Sequence, residues 1–88
     1  MNEQVLNLLL SGERYTGKRL AEIICTDEST IRKIINSLRC DGVLVCSSNR
    51  GYHISNDEVE ILKTIASLTC RIAQMQKAIE GLKRGVRI

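Results

Sequence analysis

The sequence contains no proline, tryptophan or phenylalanine, and tyrosine occurs only twice in 88 residues. This shortage counts against binding of single-stranded nucleic acid, because the platforms on which bases stack are aromatic. No apolar run approaches the ~20 residues needed to cross a bilayer, and the N-terminus lacks the basic-then-apolar pattern of a signal peptide. We therefore predict a cytoplasmic protein with no membrane partner, in which the cysteines are reduced thiols.

The sequence also lacks the patterns of catalytic and metal sites. The only histidine, His53, has no nucleophile at a recognisable spacing, and no Gly-rich phosphate loop is present. Cys25, Cys40, Cys46 and His53 lack the short pairing of ligands typical of structural zinc, and Cys25 and Cys46 lie in apolar stretches that suit buried thiols. We predict no enzyme activity, no cofactor and no metal; redox sensing through Cys40 or Cys70 stays open.

The charge is small and unevenly distributed. Thirteen Lys and Arg residues face ten Asp and Glu residues, which gives a net charge of +3. Residues 1–57 hold seven of each sign and are neutral, whereas residues 58–88 hold six basic and three acidic residues. A neutral N-terminal part counts against strong nonspecific binding to DNA, so any DNA contact there depends on how the charges are patterned.

Residues 16–38 predict two short helices separated by a tight break. Leu20, Ile23 and Ile24 recur at helical spacing after Thr16, a predicted N-cap. Asp27 is placed to cap the second helix, whose apolar residues fall within about an 80° arc: Ile31, Ile34, Ile35 and Leu38. The opposite side of that helix is short, polar and basic, as a helix that reads the major groove requires.

The elements around this pair are short. Asn2 to Leu10 predicts a first helix with Val5, Leu6 and Leu9 on one face, and residues 13–15 predict a very short strand. Residues 43–46 and 52–54 predict two strands of a hairpin around the turn cluster 47–51. Because Tyr52 and Ile54 share one face, His53 is expected on the other, toward solvent or DNA.

This ordered set of elements resembles the winged helix-turn-helix domain of the biotin-repressor type, often called HTH type 11, found in bacterial and phage regulators. The resemblance covers roughly residues 5–55, and the biotin chemistry is not carried over because no ligase or sensor domain follows. Its matching pieces are Leu20-Ala21, Cys25-Thr26-Asp27, Thr30-Ile31-Arg32, Ile35, Leu38, the strand 42–45 and Gly51-Tyr52.

The predicted DNA-binding residues fall into three groups. The third helix offers Arg and Lys for guanine edges or phosphates and Asn for adenine. Lys18 and Arg19, near the start of the second helix, are expected at phosphates, and Arg50 at the hairpin turn is expected at a phosphate or in the minor groove. The residues predicted on the third helix are Ser29, Thr30, Arg32, Lys33, Asn36 and Ser37.

The C-terminal third carries a heptad pattern of apolar residues. A helix of about 25 residues spans roughly 37 Å, longer than so small a domain can cover, so part of it requires a partner. β-branched residues at one core position favour a parallel two-stranded coil, while an antiparallel pair and packing back on the domain stay open. Residues 83–87 are expected to fray after Gly81 and Gly85. The predicted dimerisation residues are Ile61, Ile65, Leu68, Ile72, Met75, Ile79 and Leu82, with Val86 continuing the spacing.

Together these patterns predict a mainly α protein with a small β-hairpin wing and a long C-terminal coiled-coil helix. We expect residues 1–56 to form the winged helix-turn-helix domain and residues 57–88 to form a dimerisation helix with a frayed basic tail. We expect a homodimer that binds specific double-stranded DNA and regulates transcription of a bacterial or prophage operon. The alternative is a winged-helix interaction or scaffold module that does not bind DNA.

Overall fold

The structure is a computed structural model that describes residues 2–86. It is mainly helical, with one two-stranded antiparallel hairpin and a long C-terminal helix. The elements in chain order are α1 (Asn2–Leu10), α2 (Gly17–Ile24), α3 (Glu28–Cys40), β1 (Val45–Ser48), β2 (Gly51–Ile54) and α4 (Glu58–Val86).

The core lies where α1, α2 and α3 meet the hairpin. Aliphatic side chains fill it, and the whole predicted apolar side of α3 is buried there. In α2, Leu20 and Ala21 are buried. Ile23 is 39% exposed and lies outside the core, although its helical spacing from Leu20 suggested the same face. The completely buried side chains of this core are Val5, Leu9, Leu20, Ile31 and Ile35.

Both predicted caps of the helix pair are confirmed. The Thr16 hydroxyl accepts a hydrogen bond from the Arg19 amide at 3.0 Å, and an Asp27 carboxylate oxygen accepts from the Thr30 amide at 2.7 Å. Each oxygen satisfies an amide that has no partner inside its helix. Cys25 ends α2 in the left-handed region with φ of 59°, which turns the chain sharply into α3.

The hairpin forms, but its first strand begins two residues later than predicted. Ser48 pairs with Gly51 across a turn made by Asn49 and Arg50, so Ser47 and Ser48 belong to β1 and not to the loop. Tyr15 joins β2 through two backbone hydrogen bonds with Tyr52, of 2.7 and 3.0 Å. The predicted strand at 13–15 is therefore a single bridge residue.

α4 begins at the predicted place, where an Asp57 carboxylate oxygen accepts from the Val59 amide at 3.0 Å. The helix has 29 residues and runs through Gly81 and Gly85. Residues 83–86 of the tail that was expected to fray are helical, and Arg87 lies outside the described residues. Within residues 2–86, no helix is both long enough and apolar enough to cross a membrane.

Candidate nucleic-acid interface

The outward side of α3 is an exposed polar and basic surface. Ser29, Arg32, Lys33 and Asn36 are all exposed and follow helical spacing, so they share one side of the helix. Because the opposite side of α3 is locked into the core, this surface is held on a rigid element. We call these four residues the α3 face.

Two of the predicted contact residues lie at the border of this face. Thr30 is half-buried in the first turn. Ser37 is also half-buried, and its hydroxyl accepts a hydrogen bond from the Asn2 side-chain amide at 3.1 Å. Ser37 therefore contacts α1, and it is less available to an outside partner than the α3 face is.

Most of the basic residues that are predicted to contact DNA form no ion pair with an acidic residue. Arg19 is within 3.9 Å of Glu22, in a pair whose side chains are both more than half exposed. Such a pair is worth little in water, so Arg19 remains able to contact an anion. Among the described residues, Lys18, Arg32, Lys33 and Arg50 form no ion pair.

Electrostatics at the start of α3 favour a charged cap. Hydrogen bonds from Thr30, with a smaller contribution from nearby Lys33, lower the pKa of Asp27 below its ordinary value of 3.8. The carboxylate therefore stays ionised over a wider pH range than a free aspartate. It compensates the positive end of the helix without forming an ion pair with Lys33.

The hairpin turn places Arg50 at the tip, exposed to solvent. The turn is fixed from inside, since the Arg50 amide donates to the Ser48 hydroxyl at 3.3 Å. Gly51 has φ of +110°, and a Cβ there would overlap the Tyr15 carbonyl group. Only glycine fits this close approach, so the tip of the hairpin depends on it.

α4 runs beside the free edge of β1 toward this turn. The Thr64 hydroxyl accepts a hydrogen bond from the Ser47 amide at 3.4 Å, and Thr64 is buried. Further along, Ser67 and Arg71 line a cleft of about 510 Å³ together with the hairpin turn and the start of α2. The helix thus covers a strand edge whose backbone groups would otherwise be unpaired.

Arg39 of α3 contacts the first residue of β1, at the end of the strand away from the turn. Its Nε donates to the Val45 carbonyl at 2.9 Å, and its second guanidinium nitrogen is buried without a partner among the described residues. Burial lowers the pKa of Arg39 below its ordinary value. This arginine ties α3 to the hairpin, a role that the sequence pattern alone did not reveal.

His53 does not point to solvent or DNA, which corrects the expectation from strand alternation. It is 7% exposed, and its Nε2 lies 3.2 Å from Oε2 of Glu60 in the first turn of α4. Its Nδ1 lies 3.5 Å from an Arg14 nitrogen. Hydrogen bonds from Ser55 and His53 lower the pKa of Glu60 below 4.5. The second face of the hairpin is therefore covered by α4, which alternation within β2 cannot show.

The cysteines are placed only partly as expected. Cys46 is buried, but Cys25 is exposed in the turn between α2 and α3, so the prediction of a buried thiol at Cys25 is wrong. Cys40 and Cys70 are exposed as well. Within residues 2–86, no three His, Cys, Asp or Glu side chains are grouped so that they could hold a metal ion.

The predicted dimerisation residues divide into two groups. Ile61 and Leu68 are half-buried beside β1, where they line an apolar groove with Val43, Leu44 and Ile65. Beyond them, every described residue from Thr69 to Val86 is exposed. The exposed fractions there are 67% for Ile72, 63% for Met75, 45% for Ile79, 72% for Leu82 and 85% for Val86, against 52% for Ile65.

Comparisons of this chain with known protein families, with curated proteins and with solved structures found no significant match.

Proposed function

We propose that this chain is a winged helix-turn-helix protein that binds specific double-stranded DNA as a homodimer and thereby regulates transcription. The observation that carries the proposal is the α3 face. It presents two unpaired cations, an amide and a hydroxyl on one rigid, capped helix. These are the groups that recognise base edges in the major groove.

The order of elements supports this fold. A helix, a bridging residue, two helices and a hairpin follow one another, and Tyr15 extends the hairpin to a third short segment through Tyr52. α2 and α3 are joined by a tight turn at Cys25 and share one core. In a helix-turn-helix, the second helix of such a pair lies in the major groove.

Each exposed group then has a defined role. Lys33 and Arg32 recognise guanine edges or phosphates, and Asn36 recognises adenine. Lys18 and Arg19 hold phosphates and set the position of the protein without reading sequence. Arg50 at the hairpin tip contacts a phosphate or enters the minor groove. A homodimer repeats these contacts on a second half-site, and we expect the bound sequence to be an inverted repeat.

One observation favours a second candidate function, that of a protein interaction module. Residues 1–57 carry no net charge, so they lack the broad basic surface of many DNA-binding domains. Such a module uses the same fold to hold a protein partner, and α3 never meets DNA. The salt dependence of binding separates the two candidates, because only DNA binding releases condensed counterions.

The test is selection of binding sites from random duplex DNA, followed by gel shifts with variants. Lys33→Ala is expected to weaken binding and to reduce the slope of log affinity against log salt by about 0.9, the value for one phosphate contact. If Lys33 instead contacts a guanine, the loss is sequence-dependent and amounts to about 1–3 kcal/mol. Lys77→Ala is the matched control, since Lys77 is an exposed cation on α4 outside the α3 face.

The outcomes decide between the candidates. Enrichment of a sequence that wild type binds, and that Lys33→Ala binds more weakly than Lys77→Ala does, supports DNA recognition by α3. No enrichment, or equal losses for the two variants, contradicts it.

A further inference from the structure

We infer that two copies pair antiparallel along α4, so that the distal half of each helix packs into the apolar groove between β1 and α4 of the other copy. The groove has a volume of about 190 Å³, and its lining is mainly apolar, with Arg39 and Thr64 as the polar members. This inference specifies the dimer of the proposed function and rests on it for its consequence for DNA.

Each chain leaves two apolar surfaces uncovered at opposite ends of α4. The groove, at the proximal end, exposes Leu44 at 42% and Ile65 at 52%. The distal surface consists of Ile72, Met75, Ile79, Leu82 and Val86, on a part of the helix whose described residues are all exposed. Exposed apolar patches of this extent mark sites of association.

The heptad residues match one another when the helices run in opposite directions. In an antiparallel coil the two core positions of the heptad face each other across the interface. In this chain, residues of one core position face residues of the other along the whole helix when the twofold axis lies between Ala73 and Gln74. The resulting contacts pair Ile61 with Val86, Ile65 with Leu82, Leu68 with Ile79 and Ile72 with Met75 of the second copy.

The side of α4 that packs on β1 supports the same arrangement. Thr64, Arg71, Ala78 and Gly85 are spaced by seven along one side of the apolar seam, and Thr64 is the buried contact with β1. In the antiparallel pair Gly85 of one copy lies opposite Thr64 of the other, and Ala78 lies opposite Arg71. Small residues thus occupy the distal positions that approach the partner's strand.

A parallel coil makes poorer use of these surfaces. Each distal half then pairs with the other distal half, so neither groove receives the distal residues of the second copy and Leu44 stays exposed. The antiparallel pair covers the groove and the distal surface at once.

The arrangement also sets the axial distance between the points at which the two globular parts contact the coil. Both globular parts lie on the same side of the coil, because the Thr64 edges of the two helices are adjacent in an antiparallel pair. The two Thr64 positions are separated along the coil by the rise of 19 residues, about 29 Å. This separation of the two contact points is close to the ~34 Å that separates half-sites one helical turn apart.

The test is disulfide formation in full-length protein in which the exposed Cys25, Cys40 and Cys70 are replaced by serine. Ile65→Cys alone and Leu82→Cys alone are expected to give little covalent dimer. The double variant Ile65→Cys/Leu82→Cys is expected to give mostly covalent dimer on mild oxidation. Efficient dimer formation by either single variant means that like positions meet, which overturns the antiparallel pairing.

A second measurement leaves the seam intact. Spin labels on cysteines placed at Lys63 and at Lys77, both exposed, report the distance between copies. The antiparallel pair predicts an axial separation of about 32 Å at position 63 and about 10 Å at position 77. A parallel coil gives nearly equal distances at the two positions, and a monomer gives no dipolar signal; either result overturns the inference.

The results distinguish this inference from the proposed function. An antiparallel dimer that enriches no DNA sequence keeps the pairing and contradicts DNA binding. A parallel dimer or a monomer that binds its selected sequence keeps DNA binding and contradicts the pairing.

Discussion

His53 of the hairpin and Glu60 of α4 meet at 3.2 Å and connect the globular part of the chain to its long helix. Arg14 closes the group, with one nitrogen 3.7 Å from Glu60 and another 3.5 Å from His53. Three separate segments of the chain are joined here. The direction in which α4 leaves the domain, and so the placement of a second copy, depends on this contact.

We predict that His53→Ala lowers the free energy of unfolding by about 1–3 kcal/mol, because it leaves a cavity and removes partners from Glu60 and Arg14. Urea denaturation followed by circular dichroism measures the change. His53→Gln, which restores a side-chain donor, is expected to recover part of the loss. A stability for His53→Ala equal to that of the exposed variant Lys77→Ala would show that the contact contributes nothing.

Asp27 predicts a pH dependence of stability at the start of α3. Its pKa is lower in the folded chain than the ordinary 3.8, so folding favours the ionised form. The stabilisation is complete above the unfolded pKa and is lost as the pH falls through the folded pKa. In Asp27→Asn the side-chain oxygen still caps the helix but does not titrate.

Denaturation midpoints measured between pH 7 and pH 2, at constant protein concentration, test whether ionised Asp27 stabilises the folded chain. The wild type is expected to lose more stability than Asp27→Asn on acidification, so that the difference between them narrows. Parallel profiles for the two proteins would show that the charge of Asp27 is irrelevant to the cap.

We predict that adding one methyl group at Gly51 strongly lowers the stability of the folded chain. Gly51→Ala is expected to cost about 2–4 kcal/mol, because the residue has a positive φ and its new Cβ would meet the Tyr15 carbonyl. Gly12→Ala is the matched control, since Gly12 also has a positive φ but has no atom within 4 Å of the added Cβ. Its cost is expected to be about 1 kcal/mol. Equal losses would mean that the contact with Tyr15 is unimportant for the hairpin.

Ile72 lies near the centre of the inferred seam, and a charge there is expected to prevent association. Ile72→Asp should sediment as a monomer of 9.9 kDa at concentrations where wild type is a dimer. Gln74→Asp, two residues away and off the seam, should remain dimeric. A dimer that persists in Ile72→Asp places the interface elsewhere on the chain.

Local sequence signals predicted the helical part of this fold well. The bounds of α1 agree with the prediction, and the caps at Thr16 and Asp27 agree because capping is a contact between residues close in the chain. The periodicity of α3 also identified its buried side correctly. The placement of the α3 face follows from the same pattern, because residues opposite a buried stripe are exposed.

Contacts between distant segments could not be predicted in this way. Ser47 and Ser48 are polar, which predicts a loop, yet both belong to β1, where the Ser47 amide bonds to Thr64 and Ser48 pairs with Gly51. His53 is buried because Glu60 covers it, and nothing within β2 indicates that. Cys25 is exposed because it ends α2 in a left-handed turn, although its neighbours in sequence are apolar.

The most direct test of DNA recognition by the α3 face is fluorescence anisotropy with two duplexes of equal length and composition. One carries the sequence enriched by wild type, and the other carries the same bases shuffled. Both are titrated with wild-type protein at physiological salt, where the enriched duplex is expected to bind at least about 10³-fold more tightly. Equal affinity for the two duplexes, or no binding to either, would contradict the proposal.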